Sequence, residues 1–190
     1  MAPTKAATFD SHNPATNEVI ASHEIYNEDA VRAAVERARD ASREWRELGF
    51  RGRRNVLLKW STDLLANVEE LTELVSLETG KPISDAKLEA SLAAGHIAWA
   101  ARHAESVMRT SHRSSGLLMA NMSATVERSP VGVVGVIGPW NYPVFTPLGS
   151  IAYALAAGNT VVLKPSDTTP ASTVWMANLM AEFLPAGVFN

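Results

Sequence analysis

The sequence predicts an α/β fold, in which an N-terminal helical region precedes the first βαβα units of a parallel sheet. Apolar residues recur at helical spacing between residues 27 and 108. A run of valine and glycine at 131–138 and a short apolar run at 160–164 read instead as strands, with a helical pattern between them. Because the order strand, helix, strand, helix implies right-handed crossovers, we expect the strands to be parallel.

The composition indicates a globular domain and excludes several classes of partner. Hydrophobic residues make up 46% and charged residues 19% of the 190 residues. A net charge of −3 gives no electrostatic reason to bind nucleic acid or an anionic membrane. No apolar stretch approaches the roughly 20 residues that span a bilayer, and residues 1–10 lack a secretory pattern. We therefore expect a cytoplasmic protein with neither nucleic acid nor membrane as a partner.

Four helices are predicted before the glycine-rich run. Asn27 is a suitable N-cap for the first, and the others cover about residues 52–67, 69–79 and 84–108. His96 and His103 in the fourth helix are seven residues apart, which is too long for the usual pair of metal ligands. With no cysteine in the sequence, we expect no metal site, no disulfide and no cysteine nucleophile within these residues.

Between residues 118 and 127, apolar and polar residues alternate, which is typical of a strand with one apolar face. This segment precedes the strand–helix order described above. We therefore predict a strand whose edge is available for pairing with another chain. The later run, Val131–Gly138, is apolar at successive positions, which predicts a strand covered on both faces.

Polar side chains follow both predicted parallel strands at their carboxyl ends, where ligands bind in open α/β sheets. Asn141 lies between Pro139 and Pro143, and its amide could donate a hydrogen bond to a developing oxyanion. After the second strand come Lys164, Ser166 and Asp167. Lys164 and Asp167 could bind a ribose or a phosphate, or could be a solvated loop pair, and the spacing leaves both readings open.

Four ordered motifs nevertheless resemble those of the NAD(P)-dependent aldehyde dehydrogenase superfamily. These are Asn13-Pro14-Ala15-Thr16, Glu78-Thr79-Gly80-Lys81-Pro82, the Pro-Trp-Asn-Tyr-Pro segment at 139–143 after its Val-Gly strand, and Ala-Gly-Asn-Thr-Val-Val-Leu-Lys-Pro-Ser-Asp at 157–167. The resemblance extends from about residue 9 to 190. It implies a Rossmann-like parallel sheet, although the common Gly-x-Gly-x-x-Gly phosphate turn is absent.

The resemblance assigns roles to matching positions. Asn141 would be the oxyanion-hole side chain, and a cofactor groove would be lined by Ile137, Gly138, Pro139 and Trp140. Lys164 and Asp167 would bind the adenosine ribose, with Ser166 between them. The family usually has glutamate where this chain has Asp167, which is shorter by one methylene. An anion there opposes the 2′-phosphate of NADP, and the shorter side chain relaxes that opposition, so we expect NAD, with NADP as an alternative. Residues 115–128 match a protruding strand that pairs subunits into a homo-oligomer.

In this family a cysteine attacks the aldehyde and a glutamate activates water, and both residues lie beyond the region that matches. The resemblance therefore predicts that residues 1–190 are an incomplete N-terminal nucleotide-binding domain without the catalytic domain. As part of a longer chain, they would oxidise an aldehyde to its carboxylic acid with NAD(P). The alternative is an inactive remnant that only binds nucleotide or associates with other subunits. A third possibility, an acylating enzyme that uses coenzyme A, depends on residues outside this sequence.

Overall fold

The computed structural model describes residues 7–190, and it confirms an α/β fold with a helical N-terminal region. The strands are β1 (Thr8–His12), β2 (Val19–Glu24), β3 (Ser111–Arg113), β4 (Ala124–Val126), β5 (Val133–Ile137) and β6 (Thr160–Lys164). The helices are α1 (Glu28–Glu47), α2 (Gly49–Ala66), α3 (Val68–Thr79), α4 (Ile83–Met108), α5 (Phe145–Ala157) and α6 (Pro170–Ala181). A 3-10 helix covers Leu117–Met119.

The helical region follows the predicted pattern closely. Asn27 caps α1 by accepting a hydrogen bond from the Ala30 N–H at 2.9 Å, and α3 ends at Gly80, whose φ of 73° is left-handed. Helix α4 packs against α2, α3 and α5. Its buried face consists largely of alanine, which lets neighbouring helices approach closely. Among the helices of residues 7–190, none has the length and apolar content that a membrane crossing requires.

Buried hydrogen bonds connect the helical region to the parallel strands. The Trp45 indole Nε1–H in α1 donates to the Leu155 carbonyl at 3.0 Å, and Trp45 is fully buried. The Thr160 hydroxyl at the start of β6 donates to the Ala38 carbonyl at 2.8 Å. The core thus extends without a break from α1 across the β5–α5–β6 unit.

Strands β5 and β6 are parallel, as predicted, with Val133 opposite Thr160 and Ile137 opposite Lys164. Residues 188–190 pair with the other edge of β6, so β6 is the central strand of this arrangement. The register places the carboxyl ends of β5 and β6 side by side. This geometry brings the two segments that were singled out in the sequence to one edge.

The prediction that the Val131–Gly138 strand is covered on both faces is wrong for the part of the chain that the structure describes. In β5 only Val136 is buried, whereas Ile137 is 81% exposed. Within residues 7–190, β5 pairs with β6 alone, so it is an edge strand with fewer neighbouring elements to cover it than a central strand has. A run of apolar residues indicates that a strand can be buried, but it does not show whether other elements of the fold cover that strand.

The strand predicted for residues 118–127 is confirmed only over β4, and the first part of that range is not extended. Strands β3 and β4 form a short antiparallel hairpin, and the 3-10 helix lies between them. The Ser115 hydroxyl contacts the carbonyl groups of Met119 and Met122 at 2.8 and 3.0 Å, which favours a compact turn over an extended chain. The proposed part of residues 115–128 in subunit pairing stays a prediction.

Candidate functional site

The candidate site lies where β5 and β6 end together. The Gly138 N–H, just after β5, donates to the Lys164 carbonyl at 2.9 Å and so extends the parallel pairing by one bond. Two large apolar side chains are exposed at this edge, Ile137 at 81% and Trp140 at 62%. An exposed apolar surface beside polar strand ends is suited to a flat ligand such as a nucleotide base.

Side chains from distant segments hold the backbone of the Trp140–Pro143 loop. The Lys81 ammonium donates to the Asn141 carbonyl at 2.8 Å. Two hydroxyls from α6 and the residue before it bind the flanking carbonyls: Thr169 donates to Trp140 at 3.1 Å, and Thr173 donates to Pro143 at 2.8 Å. Three of the four carbonyl groups of this loop are thus hydrogen-bonded by side chains, which restrains the backbone that carries the exposed Asn141.

A buried carboxylate from α4 satisfies the first N–H groups at the start of α5. Glu89 Oε1 accepts hydrogen bonds from the Val144 and Phe145 N–H groups at 3.0 and 3.1 Å. Its other oxygen lies 2.5 Å from Lys81 Nζ. A negative charge at a helix N-terminus is favourable because it meets unpaired N–H groups and the positive end of the helix dipole.

A second buried carboxylate performs the same task for α6. Glu78 accepts hydrogen bonds from the Ala171 N–H, and from the N–H and the hydroxyl of Ser172 at 2.9 and 2.8 Å. Burial raises the pKa of Glu78, and the hydrogen bonds from Ser172 and Ala171 together with the nearby His23 oppose that rise. Thr169 is the N-cap residue of α6, but its side chain makes no cap hydrogen bond, and its hydroxyl donates to the Trp140 carbonyl instead.

The structure brings the residues singled out in the sequence to one edge of the sheet, although not all of them are available to a ligand. Asn141, Lys164 and Asp167 are exposed there. No ion pair within residues 7–190 involves Lys164 or Asp167. Ser166 is buried, and its hydroxyl accepts a hydrogen bond from the Thr168 N–H at 3.2 Å, so it is engaged in the turn. The cofactor and catalytic roles of all these residues stay predictions.

Sequence reasoning did not identify the side chains that support the site. Lys81 and Glu78 belong to a motif that contributes to the resemblance, yet nothing near them in sequence indicates a partner. Their contacts join residues 60 and 93–94 positions apart. Glu89 lies among the buried alanines of α4. A charged residue at such a core position is the one feature of the sequence that could have indicated a buried partner.

The donor set at this edge fits a dinucleotide. An ammonium group at Lys164 can donate to ribose hydroxyls, and a carboxylate at Asp167 can accept from them. The exposed Ile137 and Trp140 add apolar surface beside these polar groups. Within residues 7–190, no group of three or more His, Asp or Glu side chains is arranged to hold a metal ion.

A fold of this kind, with polar groups at the ends of adjoining parallel strands, is typical of α/β proteins that bind a ligand at that edge. Residues 1–190 match the model of the aldehyde dehydrogenase family over their whole length. The chain therefore belongs to the aldehyde dehydrogenase family, which confirms the resemblance seen in the sequence.

Curated relatives agree with this assignment. The chain is 37% identical over 184 residues to malonate-semialdehyde dehydrogenase 2 of Oceanobacillus iheyensis, covering 96% of this chain and 37% of the relative. It is 35% identical over 183 residues to an NADP(+) succinate-semialdehyde dehydrogenase of Escherichia coli, again covering 96% and 37%. The chain thus spans little more than a third of the length of these relatives.

Solved structures share the same fold. An NADP-dependent enzyme of E. coli superposes with a TM-score of 0.91 at 34% identity, covering 97% of this chain and 38% of that one. PnpE from Pseudomonas sp. WBC-3 superposes with a TM-score of 0.89 at 35% identity, covering 97% and 37%. PnpE has also been solved in complex with nicotinamide adenine dinucleotide.

Proposed function

We propose that this chain is the N-terminal part of an enzyme that oxidises an aldehyde to the carboxylic acid with NAD(P). The observation that carries the proposal is the position of Asn141. Its backbone is held just after the carboxyl end of β5 by Lys81, and the residue is exposed. Relatives that are named semialdehyde dehydrogenases support the same reaction class.

In this proposal Asn141 donates a hydrogen bond from its amide to the oxygen of the aldehyde as negative charge develops there. A donor held in place before the reaction stabilises that charge without reorganising in the transition state. The backbone contacts of the Trp140–Pro143 loop support this role, because they restrain the segment that carries the amide. The nucleophile would come from outside these 190 residues, which contain no cysteine.

The cofactor would lie along Ile137, Gly138, Pro139 and Trp140, with its adenosine ribose at Lys164 and Asp167 and with Ser166 supporting that turn. When bound, NAD(P) would supply the acceptor for the hydride. We infer NAD as the preferred form, because the carboxylate of Asp167 would repel the 2′-phosphate of NADP. Relatives named for NADP(+) and a neighbour solved with NAD are both consistent with a dinucleotide at this edge.

We also infer a homo-oligomer. The segment between β3 and β4 exposes apolar side chains that make little contact with the rest of the chain: Leu117 is 92% exposed, Leu118 97% and Met122 61%. Exposed apolar clusters of this kind are typical of interaction surfaces. The expected cytoplasmic location stays a prediction.

The complete reading frame that contains these residues should be expressed and assayed for aldehyde-dependent reduction of NAD and NADP. We expect Asn141→Ala to lower kcat by about 10²–10³-fold while cofactor affinity changes little, since one oxyanion-hole donor typically contributes that much. Unchanged kcat with chemistry rate-limiting would exclude the oxyanion role.

Lys164→Ala provides the contrast, because it should raise the KM for the cofactor while kcat changes little. If the expressed protein binds NAD(P) but does not reduce it with any aldehyde, the result would instead support an inactive nucleotide-binding remnant. Activity that requires coenzyme A would place the protein in the acylating class.

A further inference from the structure

Lys81 links two parts of the candidate site that are far apart in sequence. It lies between α3 and α4, and its side chain is only 16% exposed. Its ammonium donates to the Asn141 carbonyl at 2.8 Å and lies 2.5 Å from Glu89 Oε2. The same nitrogen is 4.2 Å from the centre of the Tyr142 ring, which is within the range of a cation–π contact.

Glu89, the ion-pair partner of Lys81, binds the backbone that follows Pro143. Its side chain is fully buried, and its second oxygen binds the N–H groups of Val144 and Phe145. The Lys81–Glu89 pair therefore holds the chain both before and after Pro143. The carbonyl of Asn141 and the first N–H groups of α5 are therefore hydrogen-bonded to the two members of one ion pair.

A buried ion pair is a weak source of stability, because the loss of hydration offsets most of the attraction. The contacts of this pair converge instead on the loop that carries Asn141. We propose that Lys81 and Glu89 are positioning residues that fix the orientation of Asn141 toward the reacting oxygen. This inference rests on the proposed function of Asn141, and it adds two positioning residues to the candidate site.

The first test compares Lys81→Met with Lys87→Met in the complete enzyme. Lys87 is the matched control, because its ion pair with Glu69 also joins two helices but is exposed to solvent. The side chain of Lys87 is 50% exposed and that of Glu69 is 70% exposed. We expect Lys81→Met to lower kcat by roughly tenfold, the size expected for losing a hydrogen bond to a charged group, with the cofactor KM within about twofold. Lys87→Met should leave both unchanged.

A double-mutant cycle separates positioning from general support of the fold. If Lys81 acts through Asn141, Lys81→Met should lower kcat by less than about twofold in an Asn141→Ala background, because the two residues work as a unit. A merely structural residue would lower kcat by the same factor in both backgrounds. Equal factors would overturn the proposal.

Amide hydrogen exchange tests the same idea without any turnover. In the complete enzyme, Lys81→Met should speed exchange of the Val144 and Phe145 amides by about tenfold relative to Lys87→Met, as local opening becomes easier. Glu89→Gln should do the same if Lys81→Met folds poorly. Unchanged exchange would overturn the positioning role even where the enzyme is active. Faster exchange without any effect of Asn141→Ala on kcat would instead refute the proposed function of Asn141.

Discussion

Thr72 in α3 has a buried hydroxyl that meets no hydrogen-bond partner in the part of the chain that the structure describes. The residue is only 1% exposed, so bulk solvent does not reach the hydroxyl. An unsatisfied buried hydroxyl costs free energy that an apolar group of similar shape does not. Thr160, which is fully buried as well, differs because its hydroxyl donates to the Ala38 carbonyl.

We therefore expect Thr72→Val to raise the free energy of unfolding by about 1 kcal/mol, since the substitution removes an unpaired polar atom and keeps the branched shape. Thr160→Val is the control and should lower it by about 1–2 kcal/mol, because the Ala38 carbonyl loses a donor. Urea unfolding followed by circular dichroism measures both. Destabilisation by Thr72→Val would show that its hydroxyl has a partner, such as an internal water.

At the scale of the element, the N-termini of α5 and α6 are stabilised in the same way. Each begins where a buried glutamate from another helix accepts hydrogen bonds from its first N–H groups, Glu89 for α5 and Glu78 for α6. Neither helix has a side-chain cap of its own. Their starting points, and thus the loops just before them, are set by tertiary contacts rather than by local sequence.

Glu78 should give the stability of the protein a distinct pH dependence. Burial raises its pKa in the folded state above the value of about 4.3 found in unfolded chains. Between these two values the folded state retains a proton that the unfolded state has released, so this contribution to stability is present below about pH 4.3 and is lost as the pH rises through the raised pKa. Glu78→Gln removes this titration.

The measurement is urea unfolding of wild type and Glu78→Gln between mildly acidic and neutral pH. We expect the difference in free energy of unfolding, wild type minus variant, to fall as the pH rises from about 4.3 and then to level off. A difference that grows with pH would mean that the hydrogen bonds from Ala171 and Ser172 outweigh burial.

At the scale of the whole molecule, the exposed apolar residues between β3 and β4 allow a test of the proposed homo-oligomer. We expect Leu117→Asp combined with Leu118→Asp to shift the protein toward smaller species in light scattering, because charged residues weaken an apolar interface. Both side chains are over 90% exposed, so the melting temperature of the protomer should hardly change. Leu88→Asp, at 59% exposure on α4, is the control. Unchanged association would remove this segment from the interface.

The sequence was sufficient to predict most helices, the two parallel strands and which of their ends lie together. Local signals explain that success: an asparagine cap at Asn27, a left-handed glycine at Gly80, and β-branched runs at 133–137 and 160–164. The failures concern the first part of residues 118–127 and the covering of β5. In both, a periodic or apolar pattern indicated burial, and only the neighbouring elements decide whether burial occurs.

By itself, the sequence determined the family, the order of elements and the position of Asn141 after the first parallel strand. Only the tertiary structure showed what holds that asparagine: Lys81 on its carbonyl, Glu89 at the start of α5 and Thr169 on the carbonyl before it. The physical reason is that secondary structure follows from neighbours in sequence, whereas a buried charge finds its partner across the fold. The contact between Lys81 and Asn141 spans 60 residues, and no local pattern encodes it.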